Sequence, residues 1–199
     1  MNPETQDLQF SEIDLPSELK DSDFVSASFT MHMPAPVSAC LLLLGTRDGA
    51  LVAYNPLSYE FLNFGSKLFA IDGQIGCISV KNSTVLLASS SGAIVRYSVV
   101  AGNIFPTKDT KSLYLQADGS VTCIQMDNLN NEGILGTSKG NLYYLNLSER
   151  ALIRIVSRAA PTPERIQAVE YDTFNQNLFY STSGEANGDV KLYTSSTVD

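Results

Sequence analysis

From residue 24 onward the apolar residues come in short runs separated by polar clusters, with no stretch at the three-to-four spacing of an amphipathic helix. The runs IGCISV, TVLLAS, AIVRYSV and SLYLQA follow one another from Ile75, with polar breaks at 81–83, 90–92 and 107–111. VTCIQM, EGILGT, NLYYLNL and ALIRIVS form a second such set from Val121, its first break lying over 127–131. Runs of this length, rich in β-branched residues and bounded by Gly, Asn, Asp and Ser, predict strands joined by tight turns. The LLLL run over 41–44 predicts an inner strand buried on both faces.

The two sets belong to a longer repeat. GTRDGALVAYNP from Gly45, SSSGAIVRYSV from Ser89, GTSKGNLYYLNL from Gly136 and NGDVKLYTS from Asn187 align on turn glycines. These are Gly49, Gly92, Gly140 and Gly188, spaced 43, 48 and 48 residues apart. Two positions after each comes an aliphatic residue (Leu51, Ile94, Leu142, Val190), and five after it a large apolar one (Tyr54, Tyr97, Leu145, Tyr193). Three positions before it stands a hydroxyl in the first three copies: Thr46, Ser89 and Thr137. A second element keeps step, since Cys77, Cys123 and Ala168 share one slot in GQIGCISV, GSVTCIQM and RIQAVEY. A small apolar side chain in that slot suits a tightly packed strand. Four short strands to each period of about 45 residues is the pattern of propeller blades. The expected fold is therefore all-β, with about four blades over 24–199, the last incomplete, in a partial or open propeller.

Composition refines this picture. Residues 1–23 hold seven acids and one base, which is −6 of the chain's net −8, so the body is nearly neutral. The segment also carries Leu8, Phe10, Ile13, Leu15 and Leu19. It is expected to be a disordered acidic tail, with a docking motif or an added edge strand as the alternatives. No clustered basic face is visible, which argues against nucleic acid as a partner. No apolar run approaches the roughly 18 residues that span a bilayer, and Met1 leads into a polar stretch unlike a secretory signal. Three cysteines without CxxC spacing (Cys40, Cys77, Cys123) read as reduced thiols in a cytoplasmic protein.

The repeat resembles the WD40 family. Gly73-Gln74 and Gly119-Ser120 stand where that family opens a blade with Gly-His, and Thr46-Arg47-Asp48-Gly49 matches its turn. Tyr54-Asn55, Tyr97-Ser98, Leu145-Asn146 and Tyr193-Thr194 occupy the Trp-Asp slot. The resemblance covers residues 24–196. Tryptophan is absent and the single histidine, His32, lies outside the slot, so the family's buried polar network cannot be assembled. Hydrophobic packing is expected to dominate instead. Within the family the passage from Val121 to Ser157 is most similar to large centriolar and ciliary WD-repeat proteins that associate with microtubules. The resemblance implies a non-catalytic scaffold that binds other proteins in a cytoskeletal, centriolar or ciliary assembly.

Candidate chemistry is sparse. His32, in the Pro-rich link MHMPAP, has neither a nucleophile nor an orienting group assigned to it. Asp48 and Asp189 sit beside turn glycines, where turn geometry accounts for them, and GTSKG at Gly136 lacks the order of a phosphate loop. No catalytic, cofactor-binding or metal-binding residue is assigned. A ligand-binding or enzymatic propeller would need charged groups recurring at the starts of the inner strands, which instead read IGCIS, VTCIQ and IQAVE. Tyr143 and Tyr144 lie on opposite faces of one strand. One of them packs between blades or serves as an exposed anchor for a partner. A short arc of blades would leave apolar faces open, so completion by further blades or by another chain is expected.

Overall fold

The computed structural model describes residues 12–30, 41–62, 71–100, 103–106, 113–114, 119–126, 132–148, 151–156, 164–172, 177–183 and 190–196. These form sixteen strands and a single 3-10 turn at Ser17–Leu19. The strands gather into four antiparallel sheets in chain order, each called a blade below. Blade 1 is β1 (Phe24–Thr30), β2 (Leu41–Thr46), β3 (Leu51–Asn55) and β4 (Glu60–Leu62). Blade 2 is β5 (Ile75–Lys81), β6 (Thr84–Ser89), β7 (Ala93–Val100), β8 (Asn103–Pro106) and β9 (Leu113–Tyr114). Blade 3 is β10 (Val121–Met126), β11 (Glu132–Thr137), β12 (Leu142–Asn146) and β13 (Ala151–Val156), and blade 4 is β14 (Arg165–Asp172), β15 (Asn177–Ser183) and β16 (Val190–Ser196). The last blade has three strands where the others have at least four.

The aligned glycines close the hairpin between the second and third strands. In each, the glycine N–H donates to the carbonyl three residues back: Gly49 to Thr46, Gly92 to Ser89, Gly140 to Thr137. All three glycines have positive φ, between 79° and 87°, which an L side chain adopts only at a cost. The hydroxyl three positions earlier is buried in every case and accepts the N–H of the residue after the glycine, at 2.8 Å for Thr46, 3.2 Å for Ser89 and 3.2 Å for Thr137. It satisfies a donor that the tight turn would otherwise strand inside the protein.

Three expectations from sequence are corrected here. LLLL over 41–44 is the second strand of blade 1, and it alternates between buried and half-buried positions. The strand buried on both faces is TVLLAS, because blade 2 has a blade on either side. The fourth strand of blade 2 is split: β8 pairs with the far end of β7 and β9 with its near end, so SLYLQA supplies only Leu113 and Tyr114 among the described residues. Pro106 sits at the end of this outer strand, where a missing N–H is tolerated.

The third correction concerns blade 4. Thr182 pairs with Ile166 as Thr46, Ser89 and Thr137 pair with Phe24, Ile75 and Val121, so Thr182 is the missing fourth hydroxyl. By that register Leu192, opposite Ser181, takes the place of Leu51, Ile94 and Leu142. Val190 therefore precedes the slot by two residues, and Tyr193 matches Val52, Val95 and Tyr143. The link between these paired positions is five residues longer in blade 4, from Ser181 to Leu192, than in blade 1, from Gly45 to Leu51, and alignment on the glycines misplaces the strand by two. A slip of two keeps each residue on its original face, so the sequence pattern survives it. Gly188 and Asp189 lie outside the described residues, as do His32 and Cys40.

Candidate functional site: the seams between blades

The blades pack inner strand to inner strand, β1 on β5, β5 on β10 and β10 on β14; among the described residues no comparable packing joins β14 to β1. Each blade thus has a leading face toward the blade before it and a trailing face toward the blade after it. The two periodic side chains lie on opposite faces, because they are three residues apart along a strand. Leu51 of blade 1 and Tyr97 of blade 2 meet in one core, together with Ile75. Ile94 of blade 2 and Leu145 of blade 3 meet in the next, together with Val121. Leu142 of blade 3 meets Ile166 and Tyr180 of blade 4 in the third. The first two seams are built from the trailing aliphatic residue of one blade and the leading large residue of the next, and in the third Tyr180 of the second strand is the large residue that meets Leu142. The small residue before the hydroxyl makes room for this: a Cβ on Gly45 would stand 2.6 Å from Ile75 Cγ2, and one on Gly136 would stand 2.6 Å from Ile166 Cβ.

Hydrogen bonds tie the seams as regularly. Every inner strand carries a β-bulge at the same place, after Phe24, Ile75, Val121 and Ile166. A bulge takes a backbone group out of the ladder, and the preceding blade supplies a donor to the carbonyl beside it. Ser26 Oγ donates to the Ile75 carbonyl at 2.7 Å, Cys77 Sγ to that of Val121 at 3.5 Å, and Thr122 Oγ1 to that of Ile166 at 2.6 Å. A second set runs in the opposite sense. Ser79 Oγ accepts the Met126 N–H at 3.3 Å, and Gln125 Oε1 accepts the Tyr171 N–H at 2.6 Å. Ser79 and Gln125 both stand two residues after the cysteine slot.

The cysteines are held neutral. Burial, reinforced by neighbouring Cys123, pushes the Cys77 thiol up to about 12. Burial raises Cys123 to about 11, although a Thr122 hydrogen bond and Arg165 pull the other way. Thiols this far from ionisation are poor nucleophiles. Among the described residues, no group of three His, Cys, Asp or Glu is placed to hold a metal ion.

Of the two tyrosines singled out in sequence, Tyr143 is 7% exposed in the seam between blades 2 and 3. Tyr144 is half-buried against the core between blades 3 and 4. The large apolar side chains that reach solvent among the described residues are elsewhere. Tyr59 is 79% exposed and Leu57 51% exposed, both on the turn between β3 and β4, and Ile13 is 41% exposed. Asn55 braces that turn, its Oδ1 accepting the N–H groups of Leu57 at 2.9 Å and Ser58 at 3.3 Å. Tyr59 holds a positive φ of 59°, a conformation disfavoured outside glycine. Nothing periodic marks this turn, so the repeat alignment passes over it.

The acidic segment is also placed where it can be described. Asp23 belongs to blade 1: its carbonyl accepts the Arg47 N–H at 2.9 Å, as those of Gln74 and Ser120 accept from Ser90 and Ser138. Its carboxylate pairs with Arg47 Nε at 2.6 Å in solvent. Residues 12–22 run along the leading face of blade 1, with Leu15 and Leu19 packed on Val52, Tyr54 and Phe61. That face is apolar, with Tyr54 and Phe61 in ring contact at 4.8 Å, and burying two leucines against it outweighs the solubility of their acidic neighbours. Residues 1–11 lie outside the described set.

No protein-family model matches the chain, and no curated protein sequence does. Solved structures do. The chain is similar to Kuenenia stuttgartiensis hydrazine synthase at TM-score 0.62 and 9% identity, covering 83% of this chain and 44% of that one. It is similar to the computationally designed Ika4 protein at TM-score 0.56 and 12% identity, covering 93% of this chain and 98% of that one. The designed Ika8 protein matches at TM-score 0.52 and 14% identity, covering 85% and 45%. The chain thus spans less than half of the hydrazine synthase and Ika8 chains. At these identities the likeness is one of fold.

Proposed function

We propose that the chain is a non-catalytic protein-interaction scaffold made of WD40-like blades, arranged as an open arc that further blades or another chain complete. The observation that carries this reading is where the polar groups of the inner strands go. Ser26, Cys77, Ser79, Thr122 and Gln125 are each engaged with the backbone of a neighbouring blade. These groups serve as seam fasteners and do not converge on a reacting atom, while both described cysteines stay protonated. Binding then falls to the surface, where the braced turn carrying Leu57 and Tyr59 offers an aromatic and an aliphatic anchor. Exposed aromatic side chains on a rigid support are the usual centres of protein interfaces. Strain held at an exposed residue is explained when that residue has work to do. Following the family resemblance, the partner is a protein of a cytoskeletal, centriolar or ciliary assembly.

The test is capture of partners from a centriole-enriched extract by the full chain and by its Leu57→Ser/Tyr59→Ser variant, with each captured protein then purified and its affinity measured. The reading expects a saturable partner whose affinity falls at least tenfold in the variant, at unchanged melting temperature. Equal binding by both chains, or turnover of a small molecule that depends on an inner-strand residue, contradicts it.

A further inference from the structure

The seams repeat three times inside the chain, and their two halves recur at its ends. On the trailing side of blade 4, Gln167 stands in the bulge position from which Thr122 reaches the Ile166 carbonyl. Glu170 stands where Ser79 and Gln125 accept an N–H from the following blade. Ala168 fills the small slot of Ser26 and Cys77. All three are exposed. The outward side of blade 4 therefore carries an amide donor and a carboxylate acceptor in the two fastening positions.

The matching half is the leading face of blade 1. Phe24 occupies the place of Ile75, Val121 and Ile166, and Val52 and Tyr54 occupy those of Val95 and Tyr97. Those counterparts lie in cores shared with a preceding blade. In blade 1 the same positions form a core whose other wall is Leu15 and Leu19. Residues 12–22 thus take the place of a blade, with two leucines doing the work that a whole trailing face does elsewhere.

The geometry points to a head-to-tail seam between two copies of this chain, in which blade 4 of one copy docks on blade 1 of the other after residues 12–22 leave that face. The occupant is a second copy because blade 4 presents the fastening pattern that the leading faces in this chain already accept, the carbonyl bond at all three seams and the N–H bond at two of them. In such a seam the Gln167 amide donates to the Phe24 carbonyl, and the Glu170 carboxylate accepts the Phe29 N–H. A head-to-tail contact closes into a ring when its rotation allows and otherwise extends into a filament. Residues 12–22 act as the gate, competing with the incoming blade for one apolar face. This inference rests on reading the sheets as blades of an open arc.

The experiment compares the full chain, Leu15→Ser/Leu19→Ser, and that variant with Glu170→Arg added, by light scattering across about 1 to 100 μM, a range set for seams of micromolar affinity. Hydrogen exchange on blades 2 and 3 runs alongside. The expected result is a monomeric parent, a dimer or larger assembly for the double-serine variant, and at least a tenfold weaker assembly once Glu170 is reversed. Association is overturned as a head-to-tail seam if Glu170→Arg leaves it unchanged. Gating is overturned if the parent assembles as readily as the variant. A monomeric double-serine variant with protected blades 2 and 3 sinks the seam while leaving the blade reading intact. Loss of protection throughout would send the comparison to Glu170→Arg in the parent cross-linked at lysines. Head-to-tail cross-links there that survive the reversal also overturn the seam.

Discussion

Truncating Tyr97 and Ile94 to alanine, one at a time, should loosen opposite sides of the same blade. Both belong to β7, three residues apart, and both are almost fully buried at 5% and 3% exposure. Tyr97 faces blade 1, in the core with Leu51 and Ile75, whereas Ile94 faces blade 3, in the core with Leu145 and Val121. Removing a buried aromatic ring costs about 3 to 5 kcal/mol, and removing most of a buried isoleucine about 2 to 5 kcal/mol. For a chain of this size each kcal/mol lowers the melting temperature by roughly 2 to 4 °C, so both variants should melt markedly earlier. The informative readout is where the loss falls. In a stack whose units touch only their neighbours, destabilisation at one seam spreads weakly to the next. Native-state hydrogen exchange should therefore show Tyr97→Ala releasing the amides of β1 and β2 before those of β10 and β11, and Ile94→Ala doing the reverse. Release of the same strands by both variants would refute the assignment of the two periodic residues to opposite faces.

Gly140→Ala should cost about 1 to 3 kcal/mol, because φ is +79° and the new Cβ would stand 2.7 Å from the Glu164 carbonyl oxygen; urea denaturation that shows no change would contradict it. Gly136→Ala should cost a similar amount by driving Ile166 away, and Ile166→Val, which keeps the Cβ and γ carbons that the new methyl meets, should not recover the loss in the same assay. The thiols predict a pH dependence. Their folded pKa values are raised above the unfolded ones, so their contribution is fully present below about pH 9 and is lost as pH climbs toward 11 to 12. The melting temperature of Cys77→Ala/Cys123→Ala should consequently fall less than the parent's between pH 9 and 11; parallel curves would show that the thiols ionise freely in the fold. Tyr59→Gly should raise stability slightly by relieving the positive φ, by up to about 1 kcal/mol, and a loss instead would mean the ring packs on something.

The strand boundaries of blade 3 were readable almost to the residue, because turn residues and apolar runs there agree at every break. The opposite roles of Ile94 and Tyr97 were also within reach, since an odd separation along a strand means opposite faces. The seams themselves were not. Their donors are a serine, a cysteine and a threonine, and the threonine works from one residue earlier than the other two. No residue type therefore repeats for an alignment to find. The longer hairpin of blade 4 hid for a related reason: a two-residue slip preserves the face of every side chain, so Val190 and Tyr193 aligned plausibly in places that the pairing gives to Leu192 and Ser195. The packing of the acidic segment was not legible from its average composition. Charge density dominates that average, while Leu15 and Leu19, four residues apart, are what pack on the apolar sheet face.

The repeated seam is tested most directly by amide exchange at two sites. Gln125 Oε1 accepts the Tyr171 N–H and Ser79 Oγ accepts the Met126 N–H, each across a seam. With Gln125→Ala, the Tyr171 amide should exchange at least tenfold faster while that of Met126 keeps its rate. With Ser79→Ala, the Met126 amide should accelerate and that of Tyr171 should not. Unchanged exchange at both amides in both variants would mean that the blades are not fastened by these bonds.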